Sequence, residues 1–518
     1  MSKLKEINLV RKKLRRGMVK VALVYPSFYS VAASSLAYQM LYYYLNSIPE
    51  FYVERIVLPS NPDTPALSIE SGWPLSRFDL AVISVHYEPD YAGILRILLS
   101  GKVEARSQKR EKPIVIAGGP PIISNPEPIA DVLDVAVIGE IESTLPTFVE
   151  KLLEYFPDKK ELLDSLKPEE GFYVPSRGRE KTVISYAVPL PRSFHPIAQF
   201  RPLTRVKGLA EGIMVETNRG CFRMCAFCME GHIFSYMRER PLSDVLHIID
   251  RGVEVNRLRK IRFISLSFFD YSRAGDLLAA VAERGLEASI PSLRAETLDR
   301  DKLELMKNVG QKSLTIAPET GSPRLAMILR KYIPLERALE VASEARKVGF
   351  SGLKLYFMVG IPGEEKSDLD ADVDYIKKLA ETGFKGNRAL KVTISPLVPK
   401  PHTSFERAPW IGVEEARRRI QYIRRRLGGL ADVRPYDPRW AEIQTVISRG
   451  GRELLPVLVE WAYRGGGLGA WRSAVRKSGA DVSRYLEEIR GELPWSHIVV
   501  PRRARILRES EVIGGVWS

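Results

Sequence analysis

All three cysteines of this 518-residue chain stand in one short stretch, CFRMCAFC, as Cys221, Cys225 and Cys228. Thiolates separated by three and then two residues can turn toward one metal centre. A zinc site would need a fourth ligand, for which His232 is the nearest candidate. A three-thiolate [4Fe–4S] cluster with one open iron accounts for the same residues without it. A cluster of three also argues against a disulfide scaffold and for a reducing compartment.

The elements that must carry this loop are legible as alternating strands and helices. From about 206 to 405, strands are expected at GIMVET, KIRFISLS, LEASIPSLRA, KSLTIAPET, LKLYFMVG and LKVTISPL, with helical patterns between them. Six such units predict a partial (β/α)6 TIM-like barrel whose functional face carries the loop after each strand. The cysteine loop follows the first strand. Residues 1–150 repeat the rhythm with KVALVYP, YVERIVLP, DLAVISV, PIVIAGG and VLDVAVIGE, which predicts an N-terminal doubly wound parallel sheet. Its ligand-facing loops would be YPSFYS, SVHYE, GGPP and GE. Residues 151–205 read as a connector, and 406–518 as a small, basic, mainly helical C-terminal domain.

CxxxCx(aromatic)C, with Phe227 in the aromatic place, resembles the signature of the radical SAM superfamily. The resemblance implies that the three cysteines bind three irons and that S-adenosylmethionine (SAM) chelates the fourth. One electron would then cleave the sulfonium to a 5′-deoxyadenosyl radical. It also implies roles for Ser265 and Ser267 in SLS at the SAM amino group, and for Arg294 in SLRAE at a carboxylate. Glu319 and Ser322 in APETGS would reach ribose hydroxyls or the amino group, and Gly360 in VGIPGE would back the adenine.

The resemblance extends to a branch that carries a cobalamin-binding-type domain before the barrel. IAGGPPIISNPEPIADVLDVAVIGE is the closest stretch, and LVPKPHTSFERAPW and LPWSHI resemble the barrel exit and tail of a poorly characterised subgroup. The DxHxxG motif, whose His ligates cobalt, is missing. Tyr25, Ser84, His86, Tyr87, Gly118, Gly119 and Glu140 are the residues placed to meet a corrin. The glycines would permit close backbone approach.

The leading functional reading is therefore a cobalamin-dependent methyltransferase acting on an unactivated carbon. An alternative keeps the radical but performs carbon–carbon coupling, cyclisation or oxidation. Another is a nucleic-acid-binding protein with a structural cluster, suggested by a net charge of +15 and the helix EEARRRIQYIRRR. The blander reading of the charge is a solvated surface adapted to heat. A methylthiotransferase would need further cysteines in the N-terminal domain, and there are none. The remaining expectations are a cytoplasmic location, no transmembrane segment, and a ferredoxin or flavodoxin as electron donor.

Overall fold

The computed structural model describes residues 5–203, 206, 211–234 and 236–501. The basic stretch 502–508 lies outside the described residues. Two compact units form: residues 1–211 with 447–482 and 491–518, and residues 212–446 with 483–490. No described helix is long and apolar enough to cross a membrane.

The first unit is built on a six-stranded sheet of β1 (Val19–Phe28), β2 (Phe51–Leu58), β3 (Leu80–Ser84), β4 (Ile114–Gly118), β5 (Val135–Val137) and β6 (Phe172–Tyr173), in the order 2-1-3-4-5-6. The first five run parallel and β6 is antiparallel to β5. Continuous apolar runs such as Val21–Tyr25 suit a sheet buried on both faces, and those residues are buried. The order reverses between β1 and β3, and in such sheets a ligand sits at that switch point, beyond the carboxyl ends of the strands.

A buried arginine of this unit is paired on two sides. Arg55 on β2 meets Glu6 and lies 2.7 Å from Glu70, with its guanidinium 4.2 Å from the Phe200 ring centroid. The C-terminal segments fold back onto the same sheet. Arg452 reaches Glu127 at 3.0 Å and the Tyr173 hydroxyl at 2.8 Å, while Ile498–Val499 pairs in parallel with Thr182–Val183.

The second unit curls seven parallel strands into an arc: β7 (Ile213–Glu216), β8 (Lys260–Ile264), β9 (Glu287–Ser289), β10 (Ser313–Glu319), β11 (Gly352–Val359), β12 (Leu390–Pro396) and β13 (Asp432–Pro435). A bridge between Leu293 and Ile316 joins the first three strands to the last four. The partial barrel is present, with one strand more than the sequence pattern indicated. β13 is short and has no buried residue, so it lacks the alternation that marks its neighbours. Helices cover the convex side: Leu353, Leu355 and Phe357 of β11 are buried, and Phe357 lies 6.0 Å from the ring of Tyr375 on the following helix. Alternation therefore turns Lys354, Tyr356 and Met358 to the concave side. The C-terminal region is mainly helical, with Val413–Leu427, Pro438–Arg449, Leu455–Tyr463 and Leu468–Ser478.

Candidate functional site

The cysteine loop is closed at its neck before any metal is considered. Asn218 and Arg219 pair antiparallel with Glu239 and Arg238, so the chain leaves and re-enters at one point. Gly220 has a φ of +83°, and a Cβ there would stand 2.5 Å from the carbonyl oxygens of Phe234 and Tyr236. Only glycine fits before Cys221. The middle of the loop is pinned by backbone: Ala226 N–H donates to Leu329 O at 2.8 Å, and Ser404 N–H donates to Ala226 O at 3.0 Å. Ala226 also shares an apolar cluster with Leu325, Leu329 and Met358, against which Phe227 packs.

Beneath the neck sits a buried charge triad. Glu216, the last residue of β7, accepts from Arg219 at 2.8 and 2.9 Å and from Arg240 at 2.7 Å. Burial alone would push this carboxyl up, but the two guanidinium groups outweigh it and hold it well below the usual range.

The three thiols are reduced and unpaired with one another, with Cys225 buried and the other two half-buried. Cys221 Sγ accepts from Arg223 N–H and Cys228 Sγ from Gly231 N–H, both at 3.4 Å. Burial pushes the Cys228 thiol up to about 11 and raises that of Cys221, so metal must displace protons to bind. This donor set fits a [4Fe–4S] cluster: soft sulfur ligands, backbone N–H groups directed at the sulfurs, and an apolar surround. Among the described residues no group of three or more His, Cys, Asp and Glu is gathered to hold a single metal ion. In a four-iron cluster each thiolate takes a different iron. His232, the alternative zinc ligand, turns Nδ1 to the Cys228 carbonyl at 2.8 Å.

Charged pairs stand around the loop. Arg223 pairs with Asp270, whose carboxyl burial would raise but which Arg223 and Ser267 hold below its ordinary value. Arg294 pairs with Glu296 and extends Nη1 to 3.7 Å from Cys225 Sγ. Glu319, in the left-handed region at φ +70° after a break in strand register, accepts from Lys331 at 2.7 Å. Lys331 Nζ lies 5.8 Å from the Phe227 ring centroid. The buried atoms Glu296 Oε2 and Asn218 Nδ2 have no protein partner, which suits a polar ligand bearing both donors and acceptors. Arg223, Asp270, Glu216, Arg240 and Lys331 were not singled out from sequence. Their signal, if any, is a charge beside a strand end, which is too common to select.

The other expected SAM contacts each have protein partners of their own. Ser265 Oγ accepts from Ser267 N–H at 3.0 Å, and Ser267 is buried. The Ser322 hydroxyl donates to Asp368 at 2.6 Å and caps the helix Pro323–Ile328. Gly360 has a φ of +81° and donates its N–H to Glu364 at 2.7 Å.

In the first unit, the loops after β1 and β3 come together. The Tyr25 and His86 rings stack at 5.4 Å, and His86 Nε2 lies 3.1 Å from both Ser35 Oγ and Ser84 Oγ. The imidazole keeps accessible surface while desolvation pushes it down to about 4. Tyr87 O accepts from Asp90 N–H, turning the chain into the helix Asp90–Ser100. Gly118 extends β4, with its carbonyl accepting from Val85 N–H. A Cβ on Gly119 would meet Val85 O at 1.9 Å, so this glycine is required by chain packing alone. Glu140 is buried and accepts from Ala187 N–H at 2.8 Å.

Asp90 makes a pH test of this edge. Burial, reinforced by Glu88, pushes its carboxyl up from an ordinary 3.8 to about 7. The folded state then holds a proton that the unfolded chain has released, so stability falls as pH rises through that window. Asp90→Asn should match the wild type below pH 4 and melt higher at pH 8, on the order of 5 °C. Melting curves that stay parallel across the window would refute it.

Comparison with known proteins agrees with this geometry. The family model described as "Radical SAM superfamily" matches residues 215–376, and "Radical SAM proteins, N-terminal" matches 37–175. An uncharacterized protein of Methanocaldococcus jannaschii is 31% identical over 417 residues, 79% of this chain and 84% of its own. An uncharacterized methyltransferase of Pyrococcus horikoshii is 26% identical over 340 residues, 59% of this chain and 68% of its own. Among solved structures, the radical S-adenosylmethionine methyltransferase TsrM from Kitasatospora setae, with cobalamin and a [4Fe–4S] cluster bound, superposes with a TM-score of 0.51. That match has 14% identity and covers 75% of this chain and 74% of the other, so it speaks to fold.

Proposed function

Because the chain belongs to the radical SAM superfamily, we propose that it is a cobalamin-dependent radical SAM enzyme that methylates an unactivated carbon. A [4Fe–4S] cluster and SAM are the cofactors of that family's barrel domain. The observation that carries the proposal is the joining, in one chain, of a 2-1-3-4-5 parallel sheet to a barrel with a three-cysteine loop. The fold likeness to a methyltransferase with cobalamin bound supports it.

When bound, the cluster supplies one electron for reductive cleavage of the SAM sulfonium, and cobalamin would supply a methyl carrier. The electron must come from an external donor, for which a ferredoxin or flavodoxin is proposed. Cys221, Cys225 and Cys228 would hold the irons. Arg294, beside Cys225, would meet the SAM carboxylate as a guanidinium suits. Glu319, paired with Lys331, would accept from hydroxyl or ammonium groups. Ser265 and Ser267 would shape the turn after β8, and Gly360 and Phe227 would give the apolar backing. In the first unit Tyr25, Ser84, Tyr87, Gly118 and Gly119 lie at or beside the carboxyl ends of β1, β3 and β4, the edge where a corrin would bind. His86 Nε2 is engaged by two serine hydroxyls, and Glu140 is spent on fastening the 187 loop.

The test is anaerobic reconstitution with iron, sulfide and hydroxocobalamin, followed by product analysis with SAM and reductant. Methyl transfer yields S-adenosylhomocysteine together with 5′-deoxyadenosine. Protein that takes up iron but retains no corrin through gel filtration would overturn the cobalamin reading. Formation of 5′-deoxyadenosine alone would favour coupling, cyclisation or oxidation.

A further inference from the structure

The concave side of the barrel sheet is polar and cationic, whereas a closed barrel of this family of folds is filled by bulky branched side chains. Strand register places its residues in layers. In one layer Met214 stands beside Arg262 and Arg262 beside Ser289; across the bridged join, Thr315 stands beside Lys354, Lys354 beside Lys391, and Lys391 beside Asp432. In-register neighbours on adjacent strands point to the same face, so the ammonium groups of Lys354 and Lys391 share one side of the sheet.

Like charges placed directly across two strands are destabilising, and among the described residues neither lysine makes an ion pair with an acid, although Asp432 stands next to Lys391 in the register. Lys354 donates to the Tyr356 hydroxyl at 2.6 Å, a neutral partner. Among the described residues, Lys391 has no acid within ion-pair distance. The acids on this face are committed elsewhere. Asp432 is 2.7 Å from Arg434, Glu287 is 3.8 Å from Lys260, and Glu216 is held by Arg219 and Arg240. Arg262, Lys354, Tyr356, Lys391 and Thr393 are all half-buried rather than sealed in core.

We propose that this layer is an anion subsite that holds the phosphate or carboxylate end of the substrate. Lys354 and Lys391 supply charge, and the Tyr356 hydroxyl, whose oxygen accepts from Lys354, also offers a donor. The position fits the reaction proposed above, on which this assignment rests. Met358, four residues along β11 from Lys354, packs in the same cluster as Ala226 of the cysteine loop. At roughly 3.3 Å per residue the cations lie about 13 Å deeper than that loop. A substrate held by its anionic end would present the rest of its chain toward the radical.

The test uses the full-length protein and two probes, inorganic pyrophosphate and malonate, followed by calorimetric titration and by melting temperature. The wild type should bind at least one of them saturably and melt higher with it. Preference for pyrophosphate would identify a phosphate end, and preference for malonate a carboxylate end. Lys391→Met should melt higher than the wild type without anion, because it relieves the repulsion, and gain less from it. The double variant K354M/K391M should lose at least tenfold in affinity while keeping its iron–sulfur absorption. Unchanged affinity in the double variant, or no saturable binding of either probe to the wild type, would overturn the subsite. Anion binding that persists in protein unable to cleave SAM would remove the proposed reaction and leave the subsite standing.

Discussion

Replacing any one of Cys221, Cys225 or Cys228 by alanine is expected to abolish SAM cleavage and to remove most of the iron. Each thiol is the sole sulfur at its place, and the chain has no fourth cysteine to substitute. The loss should exceed the roughly 10–100-fold typical of removing an outer partner of a metal ligand. The fold should survive, because the neck of the loop is closed by Asn218–Arg219 against Arg238–Glu239 and its middle by the Ala226 backbone bonds. Iron and sulfide content, absorbance of the reconstituted protein and 5′-deoxyadenosine yield together decide it. A Cys228→Ala protein with full iron content and turnover would rule out the three-thiolate cluster.

Glu216→Ala is expected to be the most damaging single change outside the thiols. The substitution takes from Arg240, itself 1% exposed, the carboxylate it pairs with at 2.7 Å. Breaking a buried pair in this way costs about 3–5 kcal/mol. Both arginines flank the neck of the cysteine loop, so the cost should appear as reduced cluster retention as well as lower melting temperature. Glu216→Gln keeps one acceptor oxygen and the volume and should lose less. The pH sign follows from the depressed carboxyl: its contribution is present above the ordinary value of 4.5 and is lost as pH falls below it. Glu216→Gln should therefore lose less stability than the wild type on acidification. Equal melting temperatures for Glu216→Ala and wild type at neutral pH would disprove the role.

The cysteine loop and the strands that frame it were legible because their signals are local. Spacing in CFRMCAFC and alternation in LKLYFMV are properties of a few consecutive residues, and each strand's following loop inherits its place from the βα rhythm. β13 was not legible, since DVRP has neither an apolar run nor alternating burial and forms only because β12 offers an edge. The side-chain partnerships were not legible either. Ser322 reads as a free hydroxyl in APETGS, yet it is spent on a helix cap and on Asp368, far along the chain. Glu319 reads as a lone acid until Lys331 is brought to it.

The sequence by itself determined that three thiols can meet one cluster, that two βα arrays exist, and that the cluster loop follows the first strand of the second. Those facts depend on neighbours within a turn or a strand. Only the tertiary structure decided which charges are already neutralised. It distributed the C-terminal residues between two units, committed Glu216, Glu319 and Asp270 to cations, and set Lys354 beside Lys391. Strand register and chain reversal fix such pairings, and both depend on residues remote in sequence, so no local pattern announces them.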